Sequence, residues 1–146
     1  MEVKIQDGIE ASADIDASTS SVWELIREPG WFINGGEIGK HRIETNGAFS
    51  VVHDAIYGRF EFETITLDPP RYAAFRSLGG DDWDDPAPNT LIEFWVERIN
   101  SGGVRLRVME SGFAGFDVEE HVRMISSRTL GWKVEMQAAV RHLEGK

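Results

Sequence analysis

"DVEEHVRMISSRTLGWKVEMQAAVRHL", residues 117–143, decides the fold. It contains no proline, and Gly131 is its only glycine. Val118, Val122, Ile125, Thr129, Trp132, Met136, Ala139 and Leu143 recur at alternating spacings of four and three, as one buried face of a helix requires. A helix of roughly 27 residues is about 40 Å long at about 1.5 Å per residue. The chain before it is mostly β in pattern. A helix that long needs a sheet curved enough to wrap around it.

Immediately upstream, "VRLRVMESGF" (104–113) alternates Val104, Leu106 and Val108 with Arg105 and Arg107, the two-residue period of a half-buried strand. "TLIEFWVERI" (90–99) does the same with Ile92, Phe94 and Val96. Pairing these faces needs a loop with an odd number of residues, which a Ser-Gly-Gly type turn supplies. Glu93 and Glu97 then lie outside with Arg105 and Arg107 as solvated cross-strand pairs. The same rhythm carries Glu110 to the apolar side. A carboxylate there costs several kcal/mol (about 2 or more) unless it is paired, protonated or near water.

Farther out, "IGKHRIET", "AFSVVHDAIY", "RFEFETITL" and "RYAAFRSL" read as strands bounded by glycine, Asn46-Gly47 or Pro69-Pro70. Phe60 and Phe62 are out of phase with Ile65 and Leu67, which calls for a bulge near Glu63. "IEASADID" (9–16) is a first strand, and "ASTSSVWELIRE" (17–28) a helix with Ser18 as its N-cap. Pro29, Gly30, Gly35 and Gly36 end that helix, with one more short helical turn expected at Trp31 and Phe32. "GGDDWDDPAPN" (79–89) is irregular. Its aspartates 81, 82, 84 and 85 lack the spacing of a calcium loop and read as a solvated lid around Trp83.

The class is therefore α+β: a curved antiparallel sheet of about seven strands, two short helices after the first strand, and a long C-terminal helix. Residues 1–146 read as a single domain. With 41% hydrophobic and 27% charged residues the composition is that of a folded globular protein. A net charge of −10 argues against nucleic acid and anionic membranes, whose binders need basic surface. The absence of cysteine excludes disulfides and thiolate chemistry and fits a reducing compartment. "MEVKIQDGIEASADID" is too polar for a signal peptide, so the expected location is cytoplasmic. His41, His53, His121 and His142 show no metal-binding spacing, and no serine sits in a nucleophile elbow. Neither a metal nor a cofactor is implied.

Three stretches carry a family resemblance. They are "VWELIREPGWF" (22–32), "GAFSVV" with "LDPPRYAAFRS", and "NTLIEFWVERINSGGVRLRVMESGF" followed by "GWKVEMQAAVRHLE". In these the chain resembles the START-like (SRPBCC) helix-grip proteins, and among them the branch named for the C-terminal domain of the activator of heat-shock-protein-90 ATPase. It departs from that pattern at Val104, where threonine is common, and at Glu110, where histidine or a small polar residue is usual. The resemblance implies a sheet gripping the last helix and leaves the activity open, because one fold hosts many functions.

A straight helix in a bent sheet leaves a gap, and an aromatic-lined gap is the standard small-molecule site. By parity its lining is Phe49, Phe75, Phe94 and Val108 from the sheet, with Ile125, Trp132 and Met136 from the helix. Trp31, Phe32, Trp83 and Phe113 are placed to close its mouth. His53 and Glu110 interrupt the lining, as holders of a ligand hydroxyl or as an acid–base pair. The first reading is a small binding protein for a hydrophobic or aromatic molecule. A second is a metal-free enzyme of the cyclase, aromatase or dehydratase kind using His53 and Glu110. A third, from the resemblance, is an interaction domain that stimulates a chaperone ATPase. A homodimer through a strand edge or the helix ends fits the composition as well as a monomer does.

Overall fold

The computed structural model describes residues 8–34, 36–80, 89–100, 102–113 and 118–145. In chain order these form β1 (Gly8–Ile15), α1 (Thr19–Ile26), β2 (Arg42–Asn46), β3 (Phe49–Asp54), β4 (Gly58–Asp68), β5 (Tyr72–Gly80), β6 (Leu91–Arg98), β7 (Val104–Ser111) and α2 (Val118–Leu143). The seven strands make one curved antiparallel sheet in the spatial order β1-β7-β6-β5-β4-β3-β2. Every neighbour in the run from β2 to β7 is consecutive, so hairpins build most of it. β1 alone joins from a distance, pairing Gly8 with Ser111 and Ile15 with Val104.

Local chemistry explains the joints. Ser18 is extended, and its hydroxyl accepts a hydrogen bond from the Ser21 amide, capping α1. Gly47 follows β2 at φ +63°, a conformation that suits glycine in a two-residue hairpin turn. Ile99 donates its amide to Gly103 across the β6–β7 connection, leaving an odd-numbered loop as the parity demands. In register, Phe94 then faces Val108 and Val96 faces Leu106. Pairing of β4 with β5 is irregular on both sides of Glu63, between Glu61 and Phe62 and between Thr64 and Thr66. One slip skips Leu78 of β5 and the other Ile65 of β4, so the bulge expected near Glu63 falls at Ile65, and Ile65 and Leu67 are exposed.

The concave face of the sheet and α2 enclose the core, with Val52, Phe62, Phe75, Phe94, Leu106 and Val108 meeting Trp132, Met136 and Ala139. Among the described residues no helix is long and apolar enough to cross a membrane.

Three expectations need correction. Among the described residues no second short helix follows α1. Residues 27–33 run through turns, with Trp31 donating to the Glu28 carbonyl and Ile33 to the Gly30 carbonyl. Gly30 sits there at φ +74°, which interrupts any helix, and a Cβ on it would lie 3.1 Å from Val52. In β3 the inward residues are Ser50 and Val52, so Phe49 points away from the helix and is 53% exposed. In α2, Val122 is exposed although it fits the apolar spacing.

Candidate functional site

Glu110 lies at the seam between sheet and helix and is completely buried. Its Oε2 accepts the Thr90 hydroxyl at 2.7 Å and the Arg128 guanidinium at 3.1 Å. Its Oε1 accepts the Trp132 indole N–H at 2.9 Å. Thr90, on the approach to β6, is itself buried, and its carbonyl accepts the Ser77 amide. Arg128 and Trp132 stand one turn apart on α2, so both reach the same carboxylate. One charge-assisted and two neutral donors converge on one ion, which is how a buried carboxylate becomes tolerable. Glu110 is a clasp joining β6, β7 and α2. With its lone pairs engaged, it is not placed to accept a substrate proton.

Around this clasp the aromatic candidates gather. The Phe32 ring lies 4.9 Å from Trp132 and 6.0 Å from Phe94. Phe94 in turn is 5.5 Å from Trp31, 5.8 Å from Trp132 and 6.4 Å from Phe75. Phe62, absent from the sequence-derived set, completes the group edge-on at 5.8 Å from Phe32. These centroid separations are those of favourable edge-to-face and tilted aromatic pairs. Trp31 and Phe113, expected at a mouth, are fully buried, as are Phe75, Phe94, Val108 and Met136. Phe32, Met124 and Ile125 pack on the core but remain only half-buried. Trp83 and the neighbouring aspartates lie outside the described residues.

His53 does not join this group. It faces outward from β3, opposite Arg42 and Arg59 in register, with Nε2 3.7 Å from Glu44. The sheet therefore separates His53 from Glu110, and the expected pair does not form. Phe49 lies on the same outer face. A different histidine is engaged: the His41 Nε2 is 2.8 Å from Asp54, whose other oxygen accepts the Ile56 and Tyr57 amides. Burial works against ionising Asp54, but those amides and His41 hold its carboxyl below the ordinary value. Glu28, nearby, is pushed up by burial, with His41 easing the shift.

One further ionisable group was not anticipated. Glu135, on the inner side of α2, is only 9% exposed, and its Oε1 is buried without a hydrogen-bond partner. Burial pushes its carboxyl up to about 7, partly offset by the Asn34 amide and the Arg141 charge. A walk of three and four along α2 can step through Ile125, Arg128, Trp132, Glu135 and Ala139 as readily as through Thr129 and Met136. That alternative stepping is the signal that could have found Arg128 and Glu135.

No family model and no curated protein matches the sequence. Solved structures do match. The Aha1 dimer from Colwellia psychrerythraea superposes with a TM-score of 0.70 at 15% identity, over 95% of this chain and 97% of that one. A structural-genomics protein from Mesorhizobium loti gives a TM-score of 0.72 at 14% identity, over 95% and 98% of the two chains. DynU16, described as a putative protein in the dynemicin biosynthetic locus, gives 0.70 at 21% identity; it covers 97% of this chain, which spans 49% of DynU16. The chain has the START-like, Aha1-type helix-grip fold. At these identities the likeness speaks for the fold alone. Within the helix grip, Glu110 fastens the helix to the sheet, and the aromatic group fills the space beneath it.

Proposed function

We propose that this helix-grip protein binds a small, largely apolar, flat molecule between the first half of α2 and the sheet. The observation that carries the reading is that Phe32, Met124 and Ile125 pack against the core yet are only partly buried, with the Phe32 ring set against Phe94 and Trp132 of the aromatic group. Incompletely covered apolar surface next to a few fixed polar groups is the usual form of a ligand site. Trp132 and Phe94 supply ring faces and edges for stacking. Arg128, partly exposed at the rim, adds a positive group on the approach. The metal-free enzyme reading needs His53 and Glu110 to meet in one cavity, and they occupy opposite faces of the sheet. The binding reading therefore stands ahead of it.

Native and denaturing mass spectra of freshly purified protein test this. An extra mass present in the native spectrum and lost on denaturation is the expected result, and Phe32→Ala should remove it. A bare protein that also fails to bind any member of an aromatic small-molecule panel by ligand-observed NMR would overturn the reading.

A further inference from the structure

The segment from Trp31 to Asn34 carries two members of the aromatic group and is held against the far half of α2. Asn34 donates to the Trp31 carbonyl at 3.1 Å and accepts the Gly36 amide at 2.8 Å. Arg141 reaches across from α2 to the Gly36 carbonyl at 2.8 Å. Glycines at positive φ stand on either side, Gly30 at +74° and Gly36 at +99°. Seating this segment buries two polar atoms without partners: the Trp31 indole nitrogen and the Glu135 Oε1. Buried polar atoms are nearly always satisfied, so each orphan weakens the closed arrangement. Just outside the seam, Gly36, Glu37, Ile38, Ala138, Arg141 and His142 border a cleft of about 370 Å³, through which water can enter once the segment lifts.

We propose that Glu135 is a proton-operated latch: protonated it lets the 31–34 segment seat on α2, and ionised it releases that segment and exposes the aromatic site. This regulates the ligand site proposed above and rests on that reading. The groups acting on Glu135 are few. From the segment it meets the neutral Asn34 amide, and from its own helix the Arg141 guanidinium. Glu37, beyond Gly36, is exposed. β1, the strand beside α2, turns Ile9, Ala11, Ala13 and Ile15 inward and keeps Glu10 and Asp14 outside. Arg141 favours the ionised form, but burial outweighs it. Closed, the carboxyl resists ionising until near neutrality; open and hydrated, it ionises at the ordinary carboxylate value. The open state therefore gains on the closed one as pH rises from about 4.5 toward 7, and no further above that.

Amide hydrogen exchange on the full chain, read by mass spectrometry, tests the latch. Wild type and Glu135→Gln are compared at each pH, which cancels the intrinsic pH dependence of exchange. Between pH 5.5 and 8.0 the wild-type to variant ratio for peptides spanning residues 31–34 should rise by roughly tenfold or more, while β6 peptides keep a constant ratio. A flat ratio at 31–34 overturns the latch. So does a parallel rise in β6, because Glu135 would then act on the whole fold. Anilinonaphthalene sulfonate, titrated at the same pH values, reads the aromatic site separately, and its binding should strengthen at pH 8.0 in the wild type alone. Segment opening with no probe binding at either pH would leave the latch standing and overturn the ligand-site reading.

Discussion

Replacing Arg128 by methionine keeps most of the side-chain stem but leaves Glu110 buried as a carboxylate with two neutral donors, Thr90 and Trp132. The reverse change, Glu110→Gln, leaves a guanidinium whose side chain is 28% exposed against 0% for Glu110. Water can reach the first orphaned ion poorly and the second well. Stranding the carboxylate should therefore cost about 3–5 kcal/mol, the range for breaking a buried pair. Glu110→Gln should cost only about 1–2 kcal/mol, since the amide keeps the shape and part of the hydrogen bonding. Stability of about 5–15 kcal/mol is ordinary for a domain, so a typical fold survives both changes. The assay is urea unfolding at pH 7 followed by tryptophan fluorescence, with the double variant closing the cycle. If Arg128→Met costs under about 1 kcal/mol, or less than Glu110→Gln, Glu110 is not the clasp described above.

Glu135→Gln should leave the melting temperature nearly unchanged at pH 4 and raise it only slightly at pH 8, because the folded wild type relieves its ionised carboxylate by lifting residues 31–34 rather than by unfolding; thermal melts of both proteins over the pH range check this, and a large difference at pH 8 would mean that Glu135 acts on the whole fold. Phe94→Ala should cost about 3–5 kcal/mol, whereas Phe49→Thr should stay within about 1 kcal/mol, because the two aromatics lie on opposite sides of the sheet. Equal losses in urea unfolding would contradict the assigned faces. Ser18→Ala removes the cap of α1 and should cost about 1 kcal/mol, with Ser18→Gly recovering most of it.

The long helix and the β6–β7 hairpin were legible because their apolar residues keep one period without competition. Val104, Leu106 and Val108 can only face one way if Arg105 and Arg107 are to stay wet. β3 offered no such constraint. Phe49, Val51 and His53 form one face and Ser50, Val52 and Asp54 the other, so an apolar residue appears in both phases. Choosing the aromatic side moves every residue to the wrong face, since a strand has only two. The sheet buries Ser50 instead, opposite Phe62, and turns Phe49 out opposite Glu63. Glu110 was legible as an anomaly and its partners were not. Thr90 lies twenty residues away and Arg128 eighteen, and only the register of β6 with β7 and the rotation of α2 bring them together. The second short helix failed at Gly30, where a close approach to Val52 imposes a conformation that no helical pattern reveals.

The place of β1 in the sheet bears on how the chain reaches its final form during synthesis. From β2 to β7 each strand finds its partner in the one just made, so that part of the sheet can grow as the polypeptide emerges. β1 is made first and pairs last, because Ile9 must wait for Glu110 and Ile15 for Val104. Contacts spanning about a hundred residues form late, once loop-closure entropy can be met by a nearly complete partner surface. Until β7 has been made, β1 therefore remains an unpaired strand. Its alternating acids, Glu10, Asp14 and Asp16, suit that interval by keeping one flank soluble until the sheet is ready to receive it.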